Sequence, residues 1–307
     1  MLAALNCAHD SPPPCPQSPA AAGTPPHSAL IAPRLALSSC VRAYLTRSTL
    51  GTELRPDQRH NYFPASPLCG ITWLLQGESQ IIRRGKECIN ESLPRVSFGG
   101  PHTVPSVSVN PGPAQAFMLL LIPQAVQAMA GVDIAAFVNR IVPISAVFDD
   151  AWQAMAQAVQ HAPNDGARVQ VIEAFLEPRW NAVRQEAMPR VDRYRFWAEG
   201  LALQATSSVV GKSLRQMERR IKHWAGLPLR DLRRMARAED SFVTVRANAT
   251  PDAVKSATNW AAVAADGGFA DQSHLCRETR RMTGLSPSEL NRAIDEDESF
   301  WVYRIWD

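Results

Sequence analysis

The feature that most constrains the fold is a segment that occurs twice in the second half of the chain. The copy that begins at Ser213 aligns without a gap with the copy that begins at Asp271, an offset of 58 residues. Arg219 then falls on Arg277, and Gly226 falls on Gly284. Each copy alternates apolar and basic residues with helical spacing, which predicts two copies of one helical unit.

In the second copy, a helix is predicted from about Gln272 to Met282. Asp271 can cap its first turn with a side-chain oxygen, and Gly284 can end it in the left-handed conformation. Leu275 and Met282 share one face, because residues seven apart line up along a helix. The other face carries Ser273, Arg277 and Arg280. A glycine-containing turn followed by a helix with a basic outer face is the plan of a helix-turn-helix reader of the DNA major groove.

The first copy repeats this pattern. Its predicted apolar stripe consists of Leu214, Met217, Ile221 and Trp224, and its outward face of Arg215, Glu218, Arg219 and Lys222. Ser213 stands where the N-cap is expected. A small-residue helix and a glycine turn precede each copy, so the sequence predicts two complete units in register.

The second half resembles the AraC-type (AraC/XylS) family of transcriptional regulators, whose DNA-binding domain contains two helix-turn-helix units. The matching segments are SLRQMERRI at 213–221 and GFADQSHLCRETRRMTGLSP at 268–287. Residues 60–79 are also similar to the N-terminal sensing domain of one branch of the family. Ile221 and Thr279 depart from the pattern, since the family usually has phenylalanine there.

The resemblance implies which side chains contact DNA. Base contacts are expected from Arg215, Glu218 and Arg219 in the first unit, and from Ser273, Cys276 and Arg277 in the second. Phosphate contacts are expected from Lys222, Arg230, Arg233, Arg280 and Arg281. Arginine can read guanine through two major-groove acceptors, whereas phosphate contacts position the protein without specifying sequence. For each residue, a solvated surface charge remains the alternative.

The charge distribution also favours a polyanionic partner. Between Arg179 and Arg237 there are fourteen arginines and lysines but five acidic residues, although the net charge of the whole chain is +3. Such a segment attracts phosphate backbones.

Cysteine and histidine positions predict neither a metal site nor a disulfide framework. The six cysteines are scattered without a CxxC pair, and His60 and His102 are isolated. No catalytic constellation, metal or cofactor is therefore expected, and a reducing cytoplasm fits the cysteine usage. The longest apolar run, at 116–122, is too short to cross a bilayer.

The predicted fold class is α+β, with a small β-rich sensing domain before an all-α DNA-binding domain. Residues 1–43, rich in proline, alanine and serine, are expected to form a disordered leader. Residues 44–178 would form the sensing or oligomerisation domain with a helical connector. Residues 179–307 would form the DNA-binding domain, with an acidic and aromatic tail that folds back onto a hydrophobic surface.

Within the β-rich part, two apolar runs at 69–75 and 79–83 flank Gln76-Gly77-Glu78 and predict a hairpin. Further strands are expected at 95–98, 106–109 and 115–122. The interior of these strands would form either a plain core or a small-ligand site. Helices are expected at 149–161 and 167–177, where Val171, Ile172 and Phe175 would form either part of a connector or a dimer contact.

Three functions compete. The first is a sequence-specific regulator that binds double-stranded DNA and responds to a small-molecule effector or a partner. RNA polymerase and a second copy of the chain are its further candidate partners. The resemblance implies an activator, although the residues themselves do not distinguish activation from repression. The alternatives are a DNA-localised enzyme with a catalytic first domain and a helical protein-binding adaptor.

Overall fold

The computed structural model describes residues 25–184, 193–207, 214–247 and 258–305. A β-rich first half is followed by a helical second half, as the sequence predicts. The strands are β1 (His27–Ile31), β2 (Val41–Ser48), β3 (His60–Phe63), β4 (Cys69–Gln76), β5 (Gln80–Arg84), β6 (Glu87–Ser92), β7 (Val96–Gly99), β8 (Ser106–Val109), β9 (Gln115–Leu121) and β10 (Ile141–Pro143).

The strands form two antiparallel sheets. One has the order β1-β2-β9-β4-β7-β10, and the other has the order β3-β8-β5-β6. Alternation along β4 shows how the larger sheet uses its two faces, since successive side chains of a strand point to opposite sides. Cys69, Ile71 and Trp73 are fully buried in the main core, whereas Gly70 and Thr72 line a cavity shared with the smaller sheet.

The helices that the structure describes are α1 (Pro123–Ala130), α2 (Asp150–His161), α3 (Asp165–Val183), α4 (Tyr194–Ser207), α5 (Leu214–Ala225), α6 (Leu229–Ala247), α7 (Trp260–Asp266), α8 (Gln272–Thr283), α9 (Pro287–Glu296) and α10 (Trp301–Arg304). Helix α2 packs on the larger sheet, where the Trp73 Nε1–H donates to the carbonyl of Ala156 at 2.9 Å. None of the helices in the described ranges is long and apolar enough to span a bilayer.

The predicted hairpin is wrong in its pairing, although both of its strands exist. Strand β4 pairs with β7 and β9 in the larger sheet, and β5 pairs with β6 and β8 in the smaller one. The chain therefore changes sheets at Gly77, which has a positive φ of 74°. A Cβ atom there would lie 2.4 Å from the carbonyl oxygen of Pro113, so the crossing requires glycine.

The predicted disordered leader extends too far. Residues 27–31 form β1 and pair along their whole length with β2. Leu37 and Cys40, which fall in the same predicted leader, are fully buried in the main core. Residues 1–24 lie outside the described residues.

The two halves share one hydrophobic core. Buried apolar side chains form a continuous cluster from Trp73 in the larger sheet to Ile221 in α5 and Met235 in α6. The predicted boundary between residues 178 and 179 falls inside α3. The alternative that Ile172 forms a dimer contact is wrong, since this side chain is fully buried and belongs to the same cluster.

The aromatic tail folds back onto a hydrophobic surface, as predicted, and this surface belongs to the β-rich half. Phe300, Trp301 and Tyr303 are buried, and Trp306 lies outside the described residues. The rings of Phe300 and Tyr62 stack with their centroids 4.4 Å apart. The Trp301 Nε1–H donates to Asn61 Oδ1 at 2.8 Å, which ties the end of the chain to β3.

Two expectations about individual side chains are also wrong. Leu214, placed in the apolar stripe of the first unit, is 77% exposed at the start of α5. Cys88 forms a disulfide bond, which the cysteine spacing did not indicate, whereas Cys40, Cys69 and Cys276 are free thiols.

Candidate nucleic-acid interface

The first unit consists of α4, α5 and α6. Helix α5 buries Ile221 and Ala225 completely and ends at Gly226, whose φ is 74°. The Gly226 N–H donates to the carbonyl of Lys222 at 2.8 Å, which closes the last turn. The predicted N-cap, Ser213, lies outside the described residues.

The second unit consists of α7, α8 and α9. Asp271 caps α8 as predicted, since its side chain accepts a hydrogen bond from the His274 N–H at 2.6 Å. Gly284 ends α8 with a φ of 86°, and its N–H donates to the Arg280 carbonyl at 2.8 Å. Ser286 and Glu289 then cap α9 reciprocally, and these hydrogen bonds lower the pKa of the Glu289 carboxyl.

The two units correspond residue by residue. Moving the bounds of α5 by the offset of the sequence repeat gives those of α8, and the first residue of α6 falls on that of α9. The left-handed glycines, Gly226 and Gly284, also coincide. Leu232 and Leu290 are buried at equivalent positions of the third helices. The repeat seen in the sequence is therefore a repeat of structure.

The residues expected to contact DNA lie on α5 and α8, which are the central helices of the two units, and at the start of α6. Those on exposed positions are Arg215, Glu218, Arg219, Lys222, Arg230, Arg233, Ser273, Arg277, Arg280 and Arg281. Cys276 is partly buried, so it presents less surface than its neighbours on α8. Leu275 and Met282 are buried on the opposite face of α8, as the periodicity predicts. Each central helix thus combines a packed face with a solvent-facing polar face that contains arginine.

An ion pair that the sequence did not reveal connects the two units. Arg234 Nε lies 2.9 Å from Glu278 Oε2, and the side chains are 28% and 13% exposed. The pair joins α6 of the first unit to α8 of the second. Arg280 is also near a carboxylate, 3.7 Å from Glu289, but both of those side chains are largely exposed. Sequence spacing gives no signal for a contact between residues so far apart in the chain.

The inner face of α5 rests on the β-rich half. Helix α5 contacts α1 and the 3₁₀ turn at Ile134–Phe137. A Cβ atom on Gly226 would lie 2.8 Å from a methyl carbon of Ile134, so the two backbones approach closely here. The position of the first central helix is therefore set by the β-rich half as well as by its own unit.

A cavity of about 210 Å³ lies between the two sheets. Its apolar lining includes Ile81 and Met118, and its polar lining includes Arg47 and His102. Arg47 Nε and Nη1 and His102 Nδ1 have no hydrogen-bond partner among the described residues. Burial lowers the pKa of His102 to about 4, with a further contribution from the cation of Arg84. His102 is therefore neutral at pH 7.

The tail closes one part of this cavity. Trp301 and Val302 line it, and the Arg47 guanidinium lies 5.2 Å from the centre of the Trp301 ring. Arg47 Nη2 also pairs with Glu298 Oε1 at 2.7 Å. The cavity wall thus includes the segment that follows the second unit in the chain.

No protein-family model matches the chain, and no curated protein matches it. Among solved structures, it is similar to ToxT from Vibrio cholerae O395, with 10% identity and a TM-score of 0.35 over 76% of this chain and 93% of that one. An unsaturated fatty acid-bound wild-type ToxT from Vibrio cholerae strain SCE256 gives 11% identity and a TM-score of 0.34, over 75% and 93% of the two chains.

Proposed function

We propose that the chain is an AraC-type transcriptional regulator that binds double-stranded DNA through α5 and α8. The observation that carries this proposal is the residue-by-residue correspondence of the two helix–glycine turn–helix units, each with a solvent-facing basic surface. Two such helices in one chain suit two successive segments of the major groove. The charged face alone would be weak support, but its duplication in register is specific.

In this proposal, one group of side chains contacts bases and another contacts phosphates. Arg215, Arg219 and Arg277 would donate to guanine, Glu218 would accept from cytosine, and Ser273 and Cys276 would contact neighbouring bases. Lys222, Arg230, Arg233, Arg280 and Arg281 would neutralise phosphates. RNA polymerase is the proposed partner if the bound protein activates transcription, and a second copy of the chain would double the number of bound segments.

The cavity between the sheets is the proposed effector site. Arg47 and His102 provide nitrogen atoms that a polar ligand group can pair with, while Met118 and Ile81 contact its apolar part. A ligand acceptor near Arg47 would compete with Glu298, which belongs to the tail that follows the second unit. Effector binding would then alter how the tail holds that unit against the β-rich half.

The proposal is tested by selecting duplexes from a random pool with the full-length protein and measuring affinity for the enriched sequence at several salt concentrations. If about five phosphates are contacted, log affinity should fall with log salt with a slope of about −4 to −5. A protein-binding adaptor predicts no enriched sequence and little dependence on salt. That result would exclude the proposed function.

A further inference from the structure

A second cavity of about 210 Å³ lies behind the packed face of α8, between the helical half and the Arg42, Pro64 and Ala65 positions of the β-rich half. Its wall includes Met235 from α6, Leu275 and Met282 from α8, Leu290 from α9 and Tyr303 from α10. All of these side chains are at least nine-tenths buried. The cavity therefore lies where both helix-turn-helix units meet the tail.

Three separate clusters of buried apolar side chains, among the described residues, reach this cavity. Met235 and Met282 belong to the main core, and Leu290 and Tyr303 belong to the cluster around the tail. Leu275 belongs to a third, small cluster with Phe269. Protein interiors are normally packed to the density of organic crystals, so an apolar space at the junction of three clusters is unusual. An apolar ligand would fill it and connect the three.

Two of the residues that line the cavity have buried hydroxyl groups without a partner in the described part of the chain. Tyr303 Oη and Ser241 Oγ have no hydrogen-bond partner among the described residues, although the two residues are only 5% and 7% exposed. Leaving a buried hydroxyl unpaired costs free energy, so a ligand that pairs with one of them gains affinity.

The charges at the cavity already have partners. Arg42 Nη2 lies 3.5 Å from Glu239 Oε1, and Arg193 Nη1 lies 3.7 Å from Asp240 Oδ1. A charged ligand would have to compete with these pairs. A neutral ligand with a hydrogen-bonding group meets no such competition.

We propose that this cavity binds a neutral, largely apolar small molecule that carries a hydroxyl or carbonyl group. An engineered cavity of about 150 Å³ admits benzene, so a molecule of one or two rings is a suitable size. The polar group pairs with Tyr303 Oη, and the rings contact α6, α8 and α9. The site is distinct from the cavity between the sheets, with which it shares Pro64 and Tyr194. Any consequence for DNA rests on the proposed function, but binding itself does not.

The test compares 2-naphthol with naphthalene by isothermal titration calorimetry of the full chain without DNA. Wild type should bind both, and Tyr303→Phe should weaken 2-naphthol about 3- to 10-fold while leaving naphthalene unchanged, because only one hydrogen bond is removed. Ala238→Phe, which fills the cavity from α6, should abolish binding of both. Tyr44→Phe alters a buried tyrosine that lines neither cavity and should change nothing.

Ala116→Phe, which fills the cavity between the sheets, separates the two sites. It should leave the binding of both probes intact. The proposal is overturned if wild type binds neither probe, if Tyr303→Phe leaves 2-naphthol binding unchanged, or if Ala116→Phe rather than Ala238→Phe removes binding. Melting curves of each variant show whether it is folded. Since DNA is absent, these outcomes do not depend on whether the protein is a regulator.

Discussion

Arg219 and Arg277 occupy equivalent positions of α5 and α8, and both are exposed. Arg233 is also exposed, but it lies on α6, the third helix of the first unit. In the proposed function, Arg219 and Arg277 would enter the major groove, whereas Arg233 would reach only the backbone of the duplex. The distinction has a measurable consequence, because base contacts carry sequence information and phosphate contacts do not.

Arg219→Ala and Arg277→Ala should each cost about 1–3 kcal/mol of DNA affinity and relax base preference at one position. The two positions should map about one helical turn of DNA apart. Arg233→Ala is the matched control and should weaken binding about equally on all sequences. Selection from a random duplex pool with each variant measures these preferences. If Arg219→Ala and Arg277→Ala both lowered affinity equally on all sequences, these arginines would contact only phosphates.

His102 should make folding stability depend on pH. Its pKa in the folded protein, about 4, is below the ordinary value of 6.5, chiefly because its site is desolvated. The folded state therefore binds the proton less readily than the unfolded state. The contribution of His102 to the free energy of unfolding is fully present above pH 6.5. It is lost as the pH falls towards 4, by at most about 1.4 kcal/mol per pH unit.

Urea unfolding of wild type and His102→Gln between pH 7 and pH 4 measures this contribution. Stability of wild type should fall more steeply than that of the variant. His161→Gln, at an exposed histidine of α2, should follow wild type. If the stability of wild type and of His102→Gln fell equally with pH, His102 would not be the source of the pH dependence.

The glycines that end α5 and α8 have the same conformation but different surroundings. Both have a positive φ, which costs a residue with a Cβ atom about 1 kcal/mol relative to glycine. A Cβ on Gly226 would also overlap Ile134 of the β-rich half, at 2.8 Å, whereas the nearest atom to a Cβ on Gly284 is in Pro105 at 3.9 Å. The glycine of the first unit is therefore packed tightly against the β-rich half, whereas the glycine of the second unit has room for a methyl group.

Gly226→Ala should therefore destabilise the protein more than Gly284→Ala does. We expect about 1 kcal/mol for Gly284→Ala and an additional 1–3 kcal/mol for Gly226→Ala, because an inserted methyl group overpacks a close contact. Chemical denaturation of the two variants measures the difference directly. If both variants lost the same free energy of unfolding, the close contact between Gly226 and Ile134 would not be maintained in solution.

The molecule as a whole is held together by buried groups that join its halves. One is the main core, which extends from the larger sheet into α5 and α6. Another is the tail, where Trp301 is 1% exposed and donates to Asn61 of β3. Because these contacts cross between the halves, the β-rich and helical parts should unfold in one cooperative transition.

Trp301→Ala should lower the free energy of unfolding by about 3–5 kcal/mol, since it removes a buried aromatic side chain and the hydrogen bond that Trp301 donates to Asn61 Oδ1. Ile305→Ala, at a partly buried position of the same segment, is the control and should cost about 1 kcal/mol. Far-ultraviolet circular dichroism and tryptophan fluorescence should give coincident urea transitions. Separate transitions in wild type would contradict the shared core.

The sequence alone determined the features that depend on neighbouring residues. The bounds of α8, its Asp271 cap and its Gly284 end follow from local hydrogen bonding and from the conformational freedom of glycine. The buried and exposed faces of α8 follow from helical periodicity, as the burial of Leu275 and Met282 shows. The repeat then extended the same reasoning to α5.

Tertiary structure alone decided which distant segments meet. The sequence located β4 and β5, but their separation into two sheets depends on pairing with strands far along the chain. The burial of Leu37, the pairing of Arg234 with Glu278 and the two cavities likewise arise from contacts between distant residues. Local propensity does not encode such contacts, because their free energy depends on how the packed elements fit together.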